Sequence, residues 1–253
     1  MELIDIHSHY AWDIDDGIAN LNDAKEALAK AKEQNIKKIV VTPHIIPGTT
    51  NDLTLIKQRI NDFIKLAKEY GIIGYSGSEV MLNDECLISL QNDLIIPINN
   101  GPYVLVEFNL ARKITDDCQD YLYEYSLKHK LVIAHVERYF YKDLNLSMIR
   151  SWIEHGYIIQ VNSSSFLGEN GSKIKKNAYK LLENGLIHVI ANDTHRASRH
   201  RFPNLQDTYE LLSKRYEEKN IRQLIYDNPL AIINGKEVLP VQVKKLSLFK
   251  RRK

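Results

Sequence analysis

Short apolar runs alternate with amphipathic helical segments about seven times along this chain, which has 253 residues. A near-continuous apolar run such as 38–42 is typical of a parallel strand that is buried on both faces. Parallel strands need helical crossovers between them, so the alternation predicts an α/β protein. The predicted strands are residues 3–6, 38–42, 72–75, 103–108, 131–134, 158–162 and 187–191.

Side chains that bind metal ions follow nearly every predicted strand, and this decides between two arrangements of the sheet. In a closed barrel the carboxyl ends of all strands meet at one mouth. In an open, doubly wound sheet, which is the alternative, the ends of the first and last strands would lie too far apart. We therefore predict a single-domain (β/α) barrel of roughly seven strands over residues 1–240, followed by a basic tail at 241–253.

The first strand delivers two histidines, His7 and His9, at its end. Residues two apart on a strand face the same way, so the two imidazoles can bind one divalent cation. Three aspartates and Gly17 follow within a few residues, at 13–17. A His-x-His pair alone is also common among surface or core histidines. The candidate ligands at the later strand ends are what favour metal binding here.

Nine imidazole and carboxylate side chains are the candidate metal ligands at the predicted mouth. A carboxylate at the end of an apolar strand is costly to bury unless it is paired or bound to a metal. Nitrogen and oxygen ligands without a thiolate favour manganese, iron or zinc over calcium, and nine exceed what one or two tetrahedral sites need. They are His7, His9, Asp16, His44, Glu79, Glu107, His135, Asp193 and His195. The other four histidines, predicted to be structural or at the surface, are His129, His155, His188 and His200.

A cluster of two or three metal ions is suited to hydrolysis of a phosphoester. The sequence has neither a Cys-x5-Arg loop nor a Walker loop, so metals and arginines would have to hold the phosphate. Arg138 follows the fifth strand, and Arg199 and Arg201 follow the motif 192–195. A guanidinium grips phosphate in a bidentate manner, and Arg138 and Arg201 are the preferred pair.

These motifs together resemble those of the polymerase-and-histidinol-phosphatase (PHP) superfamily. Within it, the chain is most similar to the bacterial manganese-dependent tyrosine-protein phosphatases of capsule and exopolysaccharide clusters. The resemblance extends from Ile4 to about Asn234. The motifs that carry it are His7-Ser8-His9, Asp15-Asp16-Gly17, Thr42-Pro43-His44, the strand ends at Glu79 and Glu107, Ala134-His135-Val136-Glu137-Arg138, Gln160-Val161-Asn162-Ser163-Ser164, Asn192-Asp193-Thr194-His195 and Tyr226-Asp227-Asn228-Pro229.

The resemblance implies a distorted (β/α)7 TIM-like barrel that holds three metal ions, expected to be Mn²⁺, with iron or zinc as alternatives. The implied ligand groups are His7, His9, Glu79 and Asp193; then Glu79, Glu107 and His135; then Asp16, His44 and His195. Arg138 and Arg201 match the phosphate-contacting arginines, although the spacing of the loop 196–201 leaves Arg199 open as the alternative. Asp16 and His195 complete the expected catalytic residues, since an Asp or His would protonate the tyrosyl oxygen.

The expected activity is a metal-dependent protein-tyrosine phosphatase that acts without a covalent phospho-enzyme. The resemblance implies a bacterial tyrosine kinase with a tyrosine-rich tail, which controls capsular polysaccharide export, as its substrate. One alternative is a small-molecule phosphatase of the histidinol-phosphatase type, which would share the metals but wall its pocket with longer loops. A second is a non-catalytic, metal-bound adaptor of a polysaccharide assembly complex.

Composition places limits on partners and compartment. The 34 basic and 32 acidic residues give a net charge of +2. This charge is too small to indicate electrostatic attraction to nucleic acid. Cys86 and Cys118 are too few and too far apart for a disulfide framework, which favours the cytoplasm. Acidic residues near the start argue against a signal peptide, and the basic tail offers peripheral contact with an anionic membrane.

Overall fold

The computed structural model describes residues 1–49, 52–92, 94–115, 117–140 and 143–246, and it shows parallel strands separated by helices. The strands are β1 (Leu3–Asp5), β2 (Ile36–Val41), β3 (His44–Ile45), β4 (Ile73–Ser76), β5 (Glu79–Leu82), β6 (Tyr103–Phe108), β7 (Lys130–Ile133), β8 (Ile158–Asn162) and β9 (Val189–Ala191). The helices are α1 (Leu21–Glu33), α2 (Leu53–Glu69), α3 (Cys86–Gln91), α4 (Asp117–Ser126), α5 (Leu146–Glu154), α6 (Ser163–Leu167), α7 (Ser172–Glu183), α8 (Leu205–Ser213), α9 (Glu218–Arg222) and α10 (Asn228–Ile233).

Two of the barrel strands are interrupted halfway along. β2 pairs with β4 and β3 pairs with β5, all in parallel, so β2–β3 and β4–β5 are two long strands that each break and resume. Pro43 lies in the first break and has no N–H to donate to a neighbouring strand. Gly77 lies in the second, where a Cβ would stand 2.9 Å from Val40 Cγ1. The breaks divide the hydrogen-bonded ladders into a sheet β1-β2-β4 and a sheet β3-β5-β6-β7-β8-β9.

Hydrogen bonds between the chain beyond β9 and the chain beyond β1 close the ring. Asp193 N donates to His7 O at 2.8 Å, and His9 N donates to Thr194 O at 2.8 Å. Ser8 and Thr194 form a parallel bridge. The described strands thus make a distorted barrel of seven positions, which confirms the predicted fold class and rules out the open sheet.

The core has an inner and an outer part because side chains alternate along each strand. On β6, Leu105 faces the barrel interior, while Val104 and Val106 pack outward beneath the helices. Ile232 and Ile233 of α10 join the inner cluster. Apolar side chains therefore fill the lower barrel, and the polar mouth lies above them.

The residues that follow the predicted boundary at 240 pack against the barrel. Val241 is buried, and its N–H donates to Ile187 O at 2.9 Å. Leu246 N donates to Arg215 O at 2.9 Å. The rest of the basic tail, 247–253, lies outside the described residues, and the boundary at 240 stays a prediction.

One predicted loop is helical. Ser163, Ser164 and Ser165 were expected to form a polar loop, but they begin α6. Serine disfavours helices when its hydroxyl competes for the backbone. Here Ser163 Oγ donates to Asn192 Oδ1 and Ser165 Oγ to Glu137 Oε1, so these hydroxyls are already engaged. Among the described helices, none is long and apolar enough to cross a membrane.

A buried neutral histidine between β8 and β9 makes stability depend on pH. Burial lowers the pKa of His188 to about 3, and its Nδ1 accepts a hydrogen bond from Ile159 N at 3.0 Å. Because the unfolded chain takes up this proton near pH 6.5 and the folded chain does not, stability falls between pH 6.5 and about 3.

We predict that His188→Asn, which retains an acceptor, removes part of this pH dependence. Urea unfolding gives the free energy of unfolding at pH 5 and at pH 7. The difference between these two free energies should be smaller in His188→Asn than in wild type by about 1–2 kcal/mol. The exposed His155→Asn is the matched control and should leave the wild-type difference in place. An unchanged pH difference in His188→Asn would contradict this assignment.

Candidate metal centre

The nine predicted ligands converge at the carboxyl ends of the strands, and seven of them are buried. Two ligands have left-handed backbone conformations, His135 with φ of 35° and Asp193 with φ of 59°. Such conformations are uncommon for residues other than glycine and cluster at functional sites. The histidines at 129, 155, 188 and 200 belong to none of the ligand groups formed by the described residues.

One group of ligand atoms forms where the barrel closes. Glu79 Oε2 lies 3.1 Å from His7 Nε2 and 3.2 Å from His9 Nε2. Asp193 Oδ1 lies 3.4 Å from His7 Nε2 and 3.6 Å from His9 Nε2. These are the four side chains of the first predicted group.

Glu79 also faces a second group through its other oxygen. His135 Nε2 lies 3.1 Å from Glu79 Oε1 and 3.4 Å from Glu107 Oε2. Glu79 thus presents Oε2 to the first group and Oε1 to the second, so it could bridge two ions, and Oε2 also lies 3.3 Å from His44 Nδ1.

A third group lies on the solvent side of the cluster. Asp16 Oδ1 is 3.3 Å from His44 Nε2 and 3.3 Å from His195 Nε2. His44 Nδ1 is also 2.9 Å from Glu107 Oε1, so this group adjoins the second one. The Asp16 side chain is 63% exposed, whereas that of His195 is 1% exposed.

The spacing and the hydrogen bonding both fit divalent cations. Ligand atoms that each lie about 2.1 Å from one ion are roughly 3.0 to 3.4 Å from one another, in octahedral or tetrahedral geometry. The nitrogen–oxygen separations in the three groups run from 3.1 to 3.6 Å. Although these atoms lie close to one another, several of the buried ones make no hydrogen bond with any described residue: His44 Nδ1, Glu79 Oε2, Glu107 Oε1 and His195 Nε2.

Mutual electrostatics keep the carboxylates ionised despite their burial. Burial raises the pKa of Glu79, but the charges of His7 and His44 outweigh it and hold the pKa well below its usual range. Burial lowers the pKa of His7, yet Glu79 and Asp193 raise it to about 9. A cation that binds here must therefore displace a proton from His7, so its affinity rises with pH.

A buried polar chain supports the first two groups, and it comes from the motif 160–164, to which the sequence analysis gave no role at the metals. Gln160 Oε1 lies 3.1 Å from His7 Nδ1 and accepts from His135 N at 2.8 Å. Gln160 Nε2 donates to Asn162 Oδ1 at 2.9 Å, and Asn162 Nδ2 donates to Asp193 Oδ2 at 2.8 Å. The signal for this chain in the sequence is the pair Gln160 and Asn162, because two polar residues two apart in an apolar strand lie on the same face.

The other ring nitrogen of each of three histidines meets an acceptor, which leaves Nε2 free to bind a metal. His7 faces Gln160, as described, and His9 Nδ1 lies 2.9 Å from Asp15 Oδ2. His195 Nδ1 lies 3.1 Å from Asp193 O. Asp15 also accepts from Gly17 N at 2.9 Å and from His44 N at 3.0 Å, so it orders the loop that carries Asp16.

The candidate arginines differ in their contacts. Arg138 Nη1 donates to Asp193 Oδ2 at 3.2 Å, and Arg201 Nη2 donates to Asp193 Oδ1 at 2.8 Å. Arg199 is exposed and lines none of the described pockets. The sequence missed Arg196, whose Nη1 donates to Asp16 O at 2.7 Å and Gly17 O at 2.6 Å and so ties two loops together.

An open pocket of about 450 Å³ leads from solvent to the cluster. Asp16, His44, Glu107 and His135 form its polar base, and Arg138 and Arg201 line it as well. Ile14, Ile46, Met81 and Leu110 supply apolar walls. A phosphate ester with an apolar or aromatic leaving group suits such a pocket.

Known proteins are similar to this chain over nearly its whole length. The chain is 33% identical to the tyrosine-protein phosphatase CpsB of Streptococcus pneumoniae, over 91% of this chain and 98% of that protein. It is 26% identical to the tyrosine-protein phosphatase YwqE of Bacillus subtilis, over 98% and 99%.

Solved structures share the fold. A structure from the study of YwqE and CpsB, described as metal-dependent tyrosine phosphatases, superposes with a TM-score of 0.84 at 24% identity, over 96% of this chain and 99% of that one. Histidinol phosphate phosphatase of Lactococcus lactis gives a TM-score of 0.53 at 15% identity, over 96% and 99%. The family described as capsular polysaccharide synthesis, CpsB/CapC, matches residues 3–234. The chain belongs to the CpsB/CapC family.

Proposed function

We propose that the protein is a metal-dependent protein-tyrosine phosphatase. The observation that carries this proposal is the convergence of nine nitrogen and oxygen ligands and two arginines on one open pocket. The relatives named tyrosine-protein phosphatase, CpsB and YwqE, support the choice of reaction. The open pocket suits a phosphotyrosine on a flexible segment better than it suits an enclosed small molecule such as histidinol phosphate.

Three Mn²⁺ ions are the proposed metals, with iron or zinc as alternatives. The three groups described above would hold one ion each, and Glu79 would bridge two of them. Bound cations of this kind polarise the phosphoryl oxygens and make a water nucleophilic near neutral pH.

Arg138 and Arg201 are proposed to bind the phosphoryl group. Both guanidiniums lie at the pocket wall beside Asp193, so each can turn part of its donor set toward an oxyanion. Neither cysteine lines this pocket, and burial raises the pKa of Cys86 to about 11. A thiolate nucleophile is therefore not part of the proposal.

Of the two remaining candidate catalytic residues, Asp16 is the one that reaches solvent. His195 and His44, whose Nε2 atoms each lie 3.3 Å from Asp16 Oδ1, hold the pKa of Asp16 far below its usual range, so it is ionised at neutral pH. We infer that Asp16 accepts a hydrogen bond at the pocket base, and that water in the open pocket protonates the tyrosyl oxygen. His195 would then act beside Asp16 as a ligand of the same proposed ion.

The proposed substrate is a phosphotyrosine protein of the kind implied by the family, a bacterial tyrosine kinase with a tyrosine-rich tail that controls capsular polysaccharide synthesis. The proposed compartment is the cytoplasm, in keeping with the two free cysteines. The basic tail is proposed to touch an anionic membrane surface, because Lys244 and Lys245 precede a run of further cations.

The proposed reaction predicts metal-dependent turnover of phosphotyrosine peptide. With added Mn²⁺, purified protein should hydrolyse a phosphotyrosine peptide faster than a phosphoserine peptide or histidinol phosphate. Chelation should abolish this turnover, and Asp193→Asn should reduce it by at least about 100-fold. Turnover that resists chelation would contradict the metal mechanism, and a preference for histidinol phosphate would contradict the substrate class.

The two candidate arginines of the loop at 196–201 provide a matched pair. Arg201→Ala should lower kcat/KM by about 100-fold because a charged donor to the phosphoryl oxygens is lost. Arg199→Ala removes the same charge two residues away and should change kcat/KM by less than about twofold. Equal losses in both variants would contradict the assignment, and circular dichroism checks that both are folded.

The polar chain through Gln160 predicts an effect on metal affinity. Gln160→Leu removes the acceptor for His7 Nδ1 and His135 N, so Mn²⁺ affinity should fall by about 10-fold to 100-fold. Calorimetric titration and elemental analysis of bound manganese measure this directly, without reference to turnover. Gln58→Leu, at an exposed position of α2, is the control. Wild-type affinity in Gln160→Leu would contradict the role given to Gln160.

A further inference from the structure

A second cavity opens directly from the metal pocket. It has a volume of about 760 Å³ and lies between the chain after β3, the end of β5 and the loop 108–115. Ile46, Thr49, Met81 and Asn109 line both cavities. A chain that placed a phosphotyrosine at the metals could therefore continue along this second cavity, which we call the side groove.

The side groove has an apolar floor and charged walls. Leu82 and Phe108 form its buried floor, with Ile114 half-buried beside them. A cavity of about 760 Å³ is larger than a tyrosine side chain needs and has room for several residues of a peptide.

Two cations, Arg112 and Lys113, line the side groove on the loop 108–115. Arg112 N donates to Asn109 O at 3.1 Å, so a tight turn places Arg112 next to a residue that lines both cavities. Arg112 and Lys113 are exposed, and neither forms an ion pair with any residue that the structure describes. Both cations can therefore take an acidic partner from outside the chain.

The acidic side chains of the side groove are placed differently. Asp84 and Glu85 follow β5. The Tyr121 hydroxyl donates to Asp84 Oδ1 at 2.8 Å, which partly satisfies that carboxylate. Asp84 and Glu85 thus belong to the wall that follows β5, where Glu85 lies beside Gly48, whereas both cations belong to the loop 108–115.

We propose that the side groove binds the peptide segment that adjoins the phosphotyrosine, and that Arg112 and Lys113 select acidic side chains there. The proposal rests on the proposed phosphatase function and adds a substrate class, phosphotyrosine flanked by Asp or Glu. Charge complementarity and continuity with the metal pocket support it.

The test compares flanking charge in four peptides. Each has one phosphotyrosine, with three Glu or three Lys placed either before or after it. Wild-type kcat/KM should be higher for Glu than for Lys by about threefold to tenfold on one side, in line with one or two exposed ion pairs. The ratio should shrink in high salt.

Arg112→Glu should reverse this ratio on the same side, so that the Lys peptide becomes the better substrate. Lys176→Glu, an exposed position of α7 outside both cavities, makes the same change in net charge and should retain the wild-type ratio. Equal kcat/KM for Glu and Lys peptides on both sides would overturn the proposal, as would the same ratio in Arg112→Glu and wild type.

p-Nitrophenyl phosphate separates two kinds of failure. If wild type hydrolyses this small ester and the peptides without regard to flanking charge, the side groove proposal fails and the phosphatase function stands. If wild type with Mn²⁺ hydrolyses neither the ester nor any peptide, the proposed function itself fails.

Discussion

The metal centre depends on two backbone hydrogen bonds that close the barrel, from Asp193 N to His7 O and from His9 N to Thr194 O. They fix the end of the last strand against the end of the first. As a result, Asp193 lies beside the two imidazoles that emerge from β1. Asp5 reinforces the closure, because its carboxylate accepts from Asn192 N and Asn192 Nδ2. Without this closure the four side chains of the first group would lie on opposite edges of a sheet.

The cluster concentrates charge where a barrel core would normally be apolar. Burial disfavours the ionised form of the carboxylates, and Glu79 and Asp193 keep pKa values well below their usual range because charged imidazoles, and Arg201 in the case of Asp193, lie beside them. Such a network is weak as a source of stability, since desolvation offsets much of the attraction. Its physical justification is cation binding. The apolar layer below, represented by Leu105, carries the stability that the polar mouth lacks.

Much of this architecture could be predicted from sequence, because metal-binding residues after successive parallel strands must meet at one end of a barrel. The interruptions of the strands could not be predicted from sequence, because Pro43 and Gly77 are equally typical of the end of a strand. The support given by Gln160 depends on which way β8 turns its polar face, and periodicity does not determine that. The sequence favoured Arg201 but left Arg199 open as the alternative, and it is the conformation of the loop that places Arg201 against Asp193.

The closing contacts also have a consequence for folding. The hydrogen bonds between Asp5 and Asn192 join residues 187 positions apart. Forming them early would cost the chain a large amount of conformational entropy, so we expect them to form late in folding. The first ligand group then exists only after the rest of the barrel has assembled. A cation that binds this group stabilises the completed native state and none of its precursors. Metal supply would accordingly slow unfolding without accelerating the early steps of folding.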